Sequence, residues 1–212
     1  MTAALSRRWF ERPASVVAPA LIGRHLVRRF PDGSRCRVRI VETEAYEPED
    51  PASHSFRGRT PRNAVMFGDA GHLYVYFTYG MHFCMNVVTG HGGEGSAVLL
   101  RAAEPLAGVD AMRVLRGRER VGELCAGPAR LCQAFGVDRA LDGTDVVSGR
   151  SLWIAEGEPV TASRIVAGPR IGIRVGLEHP WRFSVEGDPF VSARARGSRG
   201  ATRSGRSGPS TR

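Results

Sequence analysis

Two short segments in the first half of the chain combine side chains that could act on a nucleic-acid base. The first is Glu42-Thr43-Glu44-Ala45-Tyr46, where carboxylates stand beside an aromatic ring at the end of a strand-like run. In the second, Tyr74 and Tyr76 share one strand face and Tyr79 precedes a glycine typical of a turn. An acid, a stacking platform and a protruding aromatic are what an enzyme needs to act on a base removed from a duplex.

Each of these side chains also has a simpler interpretation. A single strand-end glutamate such as Glu44 is usually a solvated surface residue, and strand tyrosines usually pack across strands. His54 could donate a hydrogen bond to a phosphate or a base, or be an ordinary loop histidine. Asn86 and Arg101 lie in apolar strands, where a buried polar group needs a partner. For Arg101 that partner would be a carboxylate, and Glu44 is a candidate.

The basic charge of the chain is concentrated at its C-terminus. The formal net charge is +9, and the stretch from Ala193 to Arg212 has six arginines and no acid. Its Arg/Gly/Ser composition predicts a disordered tail, so the preceding domain, residues 1–192, is only mildly basic. All 30 basic residues are arginine, so no lysine amine is present to form a Schiff base. A polyanionic partner suits this charge.

The sequence does not have the features typical of metal-binding, secreted or membrane proteins. The four cysteines form no Cys-x-x-Cys pair, and the six histidines show no metal-binding spacing. We therefore expect neither a metal nor another cofactor. The first eight residues lack the apolar run of a signal peptide, so the sequence predicts a cytoplasmic protein without membrane association.

Hydrophobic periodicity and turn residues predict a chain rich in short strands. Leu73 to Thr78 and Phe83 to Thr89 are separated by four residues, which is typical of a hairpin. The other predicted strands are His25 to Arg29, Cys36 to Tyr46, Ala97 to Arg101, Leu152 to Ala155 and Ile171 to Val175. The predicted helices are Ala18 to Ile22, Pro61 to Phe67, Val109 to Leu115 and Pro128 to Phe135.

A long ordered set of motifs resembles the 3-methyladenine DNA glycosylases of the alkyladenine type, from Arg7 to Phe183. The segments that carry the resemblance are Glu42-Thr43-Glu44-Ala45-Tyr46, Pro51-Ala52-Ser53-His54, Arg59-Thr60-Pro61-Arg62-Asn63, Met66-Phe67, Tyr74-Val75-Tyr76, Tyr79-Gly80-Met81, Cys84-Met85-Asn86, Leu99-Leu100-Arg101-Ala102-Ala103-Glu104-Pro105, Ala126-Gly127-Pro128, Gly168-Pro169-Arg170-Ile171-Gly172-Ile173 and Pro180-Trp181-Arg182-Phe183.

This resemblance implies a monomeric, metal-free DNA repair enzyme with an α+β fold: a single compact domain with a curved antiparallel sheet, short helices and a protruding β-hairpin. It implies a hydrolase that excises alkylated purines from double-stranded DNA, and the absence of lysine predicts that this hydrolase is monofunctional, without lyase activity. The substrates would be of the 3-methyladenine and 7-methylguanine class, with deaminated and etheno purines as further candidates.

The resemblance also implies roles for individual residues. Glu44 matches the residue that activates water, and Arg101 matches its supporting partner. Tyr79 matches the residue that intercalates into DNA. The base pocket would be formed by Tyr46, His54, Tyr76 and Asn86.

The chain departs from the family pattern between Tyr46 and His54. This loop is one residue shorter than usual, and Glu47-Pro48 stand where a glycine is common. We therefore expect the loop to take a different path. Two other classes stay open at this point: a non-catalytic nucleic-acid-binding module and a metal-dependent hydrolase.

Overall fold

The computed structural model describes residues 3–78 and 80–192, and eight strands form the centre of the fold. The strands are β1 His25–Arg29, β2 Arg35–Tyr46, β3 Leu73–Thr78, β4 His82–Thr89, β5 Ser96–Ala107, β6 Leu152–Ala155, β7 Ile165–Gly168 and β8 Arg182–Val185. The α-helices are α1 Arg7–Phe10, α2 Ala14–Ala20, α3 Val109–Arg116 and α4 Pro128–Ala134. Short 3-10 turns occur at Ala64–Phe67, Val121–Glu123, Arg139–Leu141 and Ala162–Arg164.

The strands form one antiparallel sheet in the order β3-β4-β5-β2-β1-β6. The strand β2 changes its neighbour along its length, because residues 35–39 pair with β1 and residues 42–44 pair with β8. In turn β8 pairs with β7. This curved antiparallel sheet with few helices confirms the α+β fold that the sequence predicted.

Two irregularities in the β2–β5 pairing decide which face of the sheet the acidic residues of β2 occupy. Ile40 pairs with Ala103 and Glu42 with Ala102, so Val41 is an extra residue on β2. Thr43 then pairs with Leu100, which makes Arg101 an extra residue on β5. Because an extra residue reverses the alternation of side chains, Glu42 and Glu44 point away from the main core.

The main hydrophobic core lies on the face of the sheet that α2, α3 and α4 cover. Leu21, Met112, Leu131 and Phe135 are fully buried there against the strands. Thr43 anchors α2 to β2, since its Oγ1 donates to the carbonyl of Ala18 at 2.9 Å. Fully burying a large apolar side chain is worth roughly 1.5–3 kcal/mol. The helices therefore stabilise the central strands from this face, and the cavity described below lies on the opposite face.

Several predicted elements differ from the observed ones near their ends. The helix expected at Ala18 to Ile22 is instead Ala14–Ala20, because the Pro13 carbonyl accepts from the N–H groups of Val16 and Val17 and starts the first turn there. Pro19 consequently lies inside the helix. The helix expected from Pro61 is only the 3-10 turn Ala64–Phe67, and β5 continues to Ala107.

The strand predicted at Ile171 to Val175 is wrong. These residues form an irregular loop, and the N–H of Ile171 donates to the Glu44 carboxylate rather than to a neighbouring strand. The strands β7 and β8 and the helix α1 were not predicted. Among the described residues, no helix has the length and apolar character needed to cross a membrane. The predicted disordered tail, residues 193–212, lies outside the described residues.

Candidate active site

A cavity of about 390 Å³ opens on the side of the sheet where Glu42 and Glu44 point. Its volume is in the range of small-molecule binding sites. The strands β3, β4 and β5 and the end of β2 supply its walls, and loops 51–54 and 171–175 close it. The residues that line it include Tyr46, His54, Tyr74, Tyr76, Asn86 and Arg101. The cavity is therefore aromatic with a few polar groups, which suits a flat heterocycle.

The carboxylate of Glu44 lies buried beside this cavity with three fixed partners. Its Oε1 accepts from the Ile171 N–H at 2.7 Å, and its Oε2 accepts from the Tyr46 hydroxyl at 2.9 Å. Nη1 of Arg101 lies 3.2 Å from the same Oε2. Each carboxylate oxygen has two acceptor positions, and among the described residues only the Ile171 N–H occupies one on Oε1, so the other is open to a further donor such as water.

The electrostatic surroundings of Glu44 make it a stronger base than an ordinary glutamate. Burial, the largest effect, raises its pKa, while Arg101 and the hydrogen bonds from Ile171 and Tyr46 act in the opposite direction. The pKa of Glu44 is raised overall, so the effect of burial is larger than the opposing effects of Arg101 and the two hydrogen bonds. A carboxylate with a raised pKa holds an abstracted proton more firmly, which is what general base catalysis near neutral pH requires.

Arg101 is shared between two buried carboxylates. Its Nε donates to Glu42 Oε1 at 3.1 Å while its Nη1 meets Glu44. Burial alone would lower the pKa of Arg101, but Glu44 and Glu42 raise it above the ordinary value. The pairing of Arg101 with Glu44 expected from the sequence is present. The contact with Glu42 was not foreseen, although Glu42 is two residues from Glu44 and thus on the same strand face.

One wall of the cavity is a group of three aromatic rings. The Tyr74 and Tyr76 rings stack at 5.7 Å between centroids, and the His54 ring meets Tyr76 edge-on at 4.5 Å. His54 Nδ1 lies 3.0 Å from the Tyr74 hydroxyl. Burial, helped by the charge of Arg62, lowers the pKa of His54, so its ring is neutral at pH 7. A neutral imidazole presents one donor and one acceptor, which suits hydrogen bonding to a base.

Asn86 and Asn63 hold the polar edge of this wall in place. The Asn86 amide nitrogen donates to the Tyr74 carbonyl at 3.2 Å, and Asn86 itself is buried at the cavity. The Asn63 amide nitrogen donates to the His54 carbonyl at 2.8 Å and so fixes the loop that carries the histidine. These contacts satisfy polar groups that would be costly to bury alone.

The buried side chain of Arg170, which was not among the predicted site residues, packs against the ring of Tyr46. The Arg170 guanidinium lies 4.7 Å from the Tyr46 ring centroid and 5.4 Å from that of Trp181. It forms a two-point ion pair with Asp50 and donates to the carbonyls of Ala45 and Gly176 at 2.9 and 3.0 Å. Arg170 therefore ties the 170–176 loop to β2. In the sequence, Arg170 is marked only by the Gly168-Pro169-Arg170 run that contributes to the family resemblance, and that run does not reveal Asp50 as its partner.

The structure brings most of the predicted site residues together. Tyr46, His54, Tyr76, Asn86 and Arg101 line the cavity and Glu44 contacts both Tyr46 and Arg101. Tyr79, which was expected to intercalate into DNA, lies outside the described residues. The neighbouring Gly80 has a φ of 68°, a left-handed conformation that suits the hairpin turn.

Glu47 attaches the shortened loop between Tyr46 and His54 to two neighbouring elements. One Glu47 oxygen accepts from the Ser15 N–H at 2.8 Å and the other from the Ser96 hydroxyl at 3.1 Å. The loop is thus attached to α2 and to β5, and His54 still faces the cavity. Across residues 3–78 and 80–192, no three His, Cys, Asp or Glu side chains come together as metal ligands would.

Comparison with known proteins identifies the family of this chain. Residues 8–189 match the model of the methylpurine-DNA glycosylase family, and the chain belongs to that family. A relative from Carboxydothermus hydrogenoformans, provisionally named a 3-methyladenine DNA glycosylase, is 48% identical over 89% of this chain and 98% of its own length. A similarly named relative from Streptomyces avermitilis is 52% identical over 89% of this chain and 90% of its own.

A human relative extends this comparison beyond bacteria. The DNA-3-methyladenine glycosylase of Homo sapiens is 46% identical over 204 residues, which cover 89% of this chain and 67% of the human protein. The expectation drawn from the motifs, that the chain is a member of this glycosylase family, is confirmed.

Proposed function

We propose that this chain is a monofunctional DNA glycosylase that hydrolyses the N-glycosidic bond of alkylated purines and so initiates base excision repair. The observation that carries the proposal is the Glu44 carboxylate, buried, anchored by Arg101 and Ile171, and adjacent to a base-sized aromatic cavity. The names of the relatives agree with this activity. We extend the substrates from 3-methyladenine to 7-methylguanine, with deaminated and etheno purines as further candidates.

The cavity walls suit a purine that carries positive charge. Alkylation at N3 or N7 makes the base cationic, hence a good leaving group and a good partner for electron-rich tyrosine rings. Tyr46 and Tyr76 offer such rings, and the neutral His54 adds no competing charge. Asn86 stands at the same cavity, where its amide would screen substituents on the purine edge.

Glu44 supplies the base for hydrolysis. It accepts a proton from water while the water oxygen bonds to the anomeric carbon of the sugar and the bond from that carbon to the purine nitrogen breaks. The electron pair of the broken bond leaves with the base and neutralises its positive charge. The carboxylate also stabilises the oxocarbenium character of the sugar. General base catalysis of this kind contributes about 10²–10⁴-fold to the rate.

Access to the cavity requires that the damaged nucleotide leave the duplex. We propose that Tyr79, which lies between β3 and β4 in the sequence, fills the space the nucleotide vacates, while arginines on the surface hold the phosphates. The partner is therefore double-stranded DNA, and one copy of the chain carries a whole site, so we propose a monomer. With genomic DNA as substrate, the place of action would be the bacterial cytoplasm.

The two other classes that the sequence left open make different predictions in one experiment. We propose to mix excess protein with duplexes that each contain one defined lesion and to measure the free purine released in a single turnover. The glycosylase proposal predicts release of alkylated purines at a rate that chelators leave unchanged. Tight binding without release would favour a binding module. Loss of release with a chelator, restored by added metal, would favour a metal-dependent hydrolase.

A further inference from the structure

We propose that Glu42 is a positioning residue for the reaction, because it holds Arg101 in the orientation that directs one guanidinium nitrogen at Glu44. This inference rests on the proposed glycosylase function. Glu42 itself lies away from the cavity lining and would touch neither the base nor the sugar. It would act only through Arg101, which does line the cavity.

Both carboxylate oxygens of Glu42 are engaged by the protein itself. Oε1 accepts from Arg101 Nε at 3.1 Å and from Arg182 Nε at 2.6 Å. Oε2 accepts from the Ser192 N–H at 2.8 Å. Glu42 is fully buried, and Arg101, Ser192 and Arg182 together outweigh the effect of burial and lower its pKa. Glu42 is therefore ionised near neutral pH, and it is a poorer proton acceptor than Glu44.

Because the guanidinium is rigid, the contact between Arg101 Nε and Glu42 also sets the orientation of the other nitrogens of Arg101. An arginine side chain presents its nitrogens as a planar, rigid fork, so fixing one N–H bond fixes the others. In Arg101 the Nε bond to Glu42 determines where Nη1 points, and Nη1 lies 3.2 Å from Glu44. Without Glu42, the attraction between the two charges would still keep Arg101 beside Glu44, but Nη1 would no longer be held in one orientation toward that carboxylate.

The backbone also brings these groups together in an unusual way. The extra residue Val41 on β2 sets Glu42 and Glu44 on the cavity face, and Arg101 is itself the extra residue on β5. Bulges of this kind re-aim single side chains near functional sites. If Glu42 only stabilised the core through an ion pair, Arg101 would not need to lie at a bulge.

The charges of the cluster make the role testable. Two carboxylates, Glu42 and Glu44, face two guanidiniums, Arg101 and Arg182, so the formal charge of the cluster is zero. The other titratable or charged groups that act on Glu44 are Tyr46 on β2, Tyr76 on β3, Cys84 on β4 and Arg170 on the 170–176 loop. After burial, Glu42 is one of the causes that raise the pKa of Glu44, opposed by Arg101.

The experiment is the pH profile of single-turnover excision by Glu42→Gln, on a duplex with one methylated purine. The glutamine keeps the shape of the side chain but gives the cluster a charge of +1, which favours the ionised form of Glu44. We expect the acidic limb to move to lower pH by about one unit, the usual scale for one nearby charge. We also expect the plateau rate to fall about tenfold, at the lower end of what orienting partners contribute in metal sites.

A matched control is Glu104→Gln on the same sheet. Glu104 pairs with Arg39 at 2.6 Å, outside the cavity, so its loss should change neither the limb nor the plateau. A lower plateau with an unmoved limb in Glu42→Gln would mean that Glu42 only stabilises the fold and would overturn the inference. An unchanged plateau would overturn it as well. If the wild-type protein itself releases no base, the proposed function fails instead.

A second variant covers the case in which Glu42→Gln does not fold. Arg182→Gln removes the other cation from Glu42 and gives the cluster a charge of −1, while Arg101 keeps both of its carboxylates. The acidic limb should then move to higher pH, the opposite direction. A limb in the wild-type position would show that the charge of the cluster does not reach Glu44 and would refute the coupling on which the positioning role rests.

Discussion

Replacing Asp50 by asparagine tests how much the buried Asp50–Arg170 pair contributes to the stability of the fold. The two side chains are completely buried, and Asp50 supplies the only carboxylate that Arg170 contacts among the described residues. The Asp50→Asn substitution would leave the guanidinium with the carbonyls of Ala45 and Gly176 and no negative charge. Breaking a buried ion pair in this way typically costs about 3–5 kcal/mol, because a buried charge is left uncompensated.

This cost converts into a large change in thermal stability. For a domain of this size, each kcal/mol lowers the melting temperature by roughly 2–4 °C, so Asp50→Asn should lower it by roughly 6–20 °C. The assay is thermal unfolding followed by circular dichroism at pH 7. The control is Asp110→Asn, which removes the exposed partner of Arg113 and should have little effect. A loss smaller than about 2 °C in Asp50→Asn would refute the reasoning.

Three further predictions concern DNA. Tyr79→Ala should lower the flipped population, seen as a weaker signal from a fluorescent base analogue opposite the lesion, and an unchanged signal would return Tyr79 to a packing role. Deleting residues 193–212 should flatten the salt dependence of DNA binding by up to about 0.9 in slope per lost phosphate contact, whereas an equal slope would mean that the tail does not bind DNA. Because the chain has no lysine, borohydride should trap no covalent complex and strands should break only after alkali. A trapped adduct would contradict the hydrolytic mechanism.

Local patterns were sufficient to predict the strands that carry the cavity wall. Alternation placed Tyr74 and Tyr76 on one face of β3, and that is where they stack. The apolar surroundings of Arg101 implied a buried carboxylate partner, and Glu44 is one of the two observed. These predictions held because period and burial are properties of a single segment.

Long-range contacts explain what the sequence could not predict. Ile171, Ile173 and Val175 alternate as strand residues do, yet the Ile171 N–H is used by Glu44, so the segment remains a loop. The bulges at Val41 and Arg101 depend on how β2 and β5 align, and no residue type marks them. Their effect on the site is nevertheless large.

Arg170, which lies beside the candidate site, is another residue whose contacts could not be predicted from the sequence. Its partner Asp50 is 120 residues away in sequence, so the sequence alone does not show that the two side chains interact. The strands β7 and β8 have four residues each and take their stability from pairing with β2 and with each other. Short strands of this kind carry little periodic signal.

The most direct test of the account is single-turnover excision by Glu44→Gln compared with the wild-type protein and with Glu104→Gln. Glutamine keeps the size of the side chain and can still accept from Ile171, but it cannot take a proton from water. We expect Glu44→Gln to bind damaged duplex normally and to lose at least about two orders of magnitude in excision rate, while Glu104→Gln excises normally. Near-normal excision by Glu44→Gln would contradict the account, because it would remove Glu44 from the mechanism.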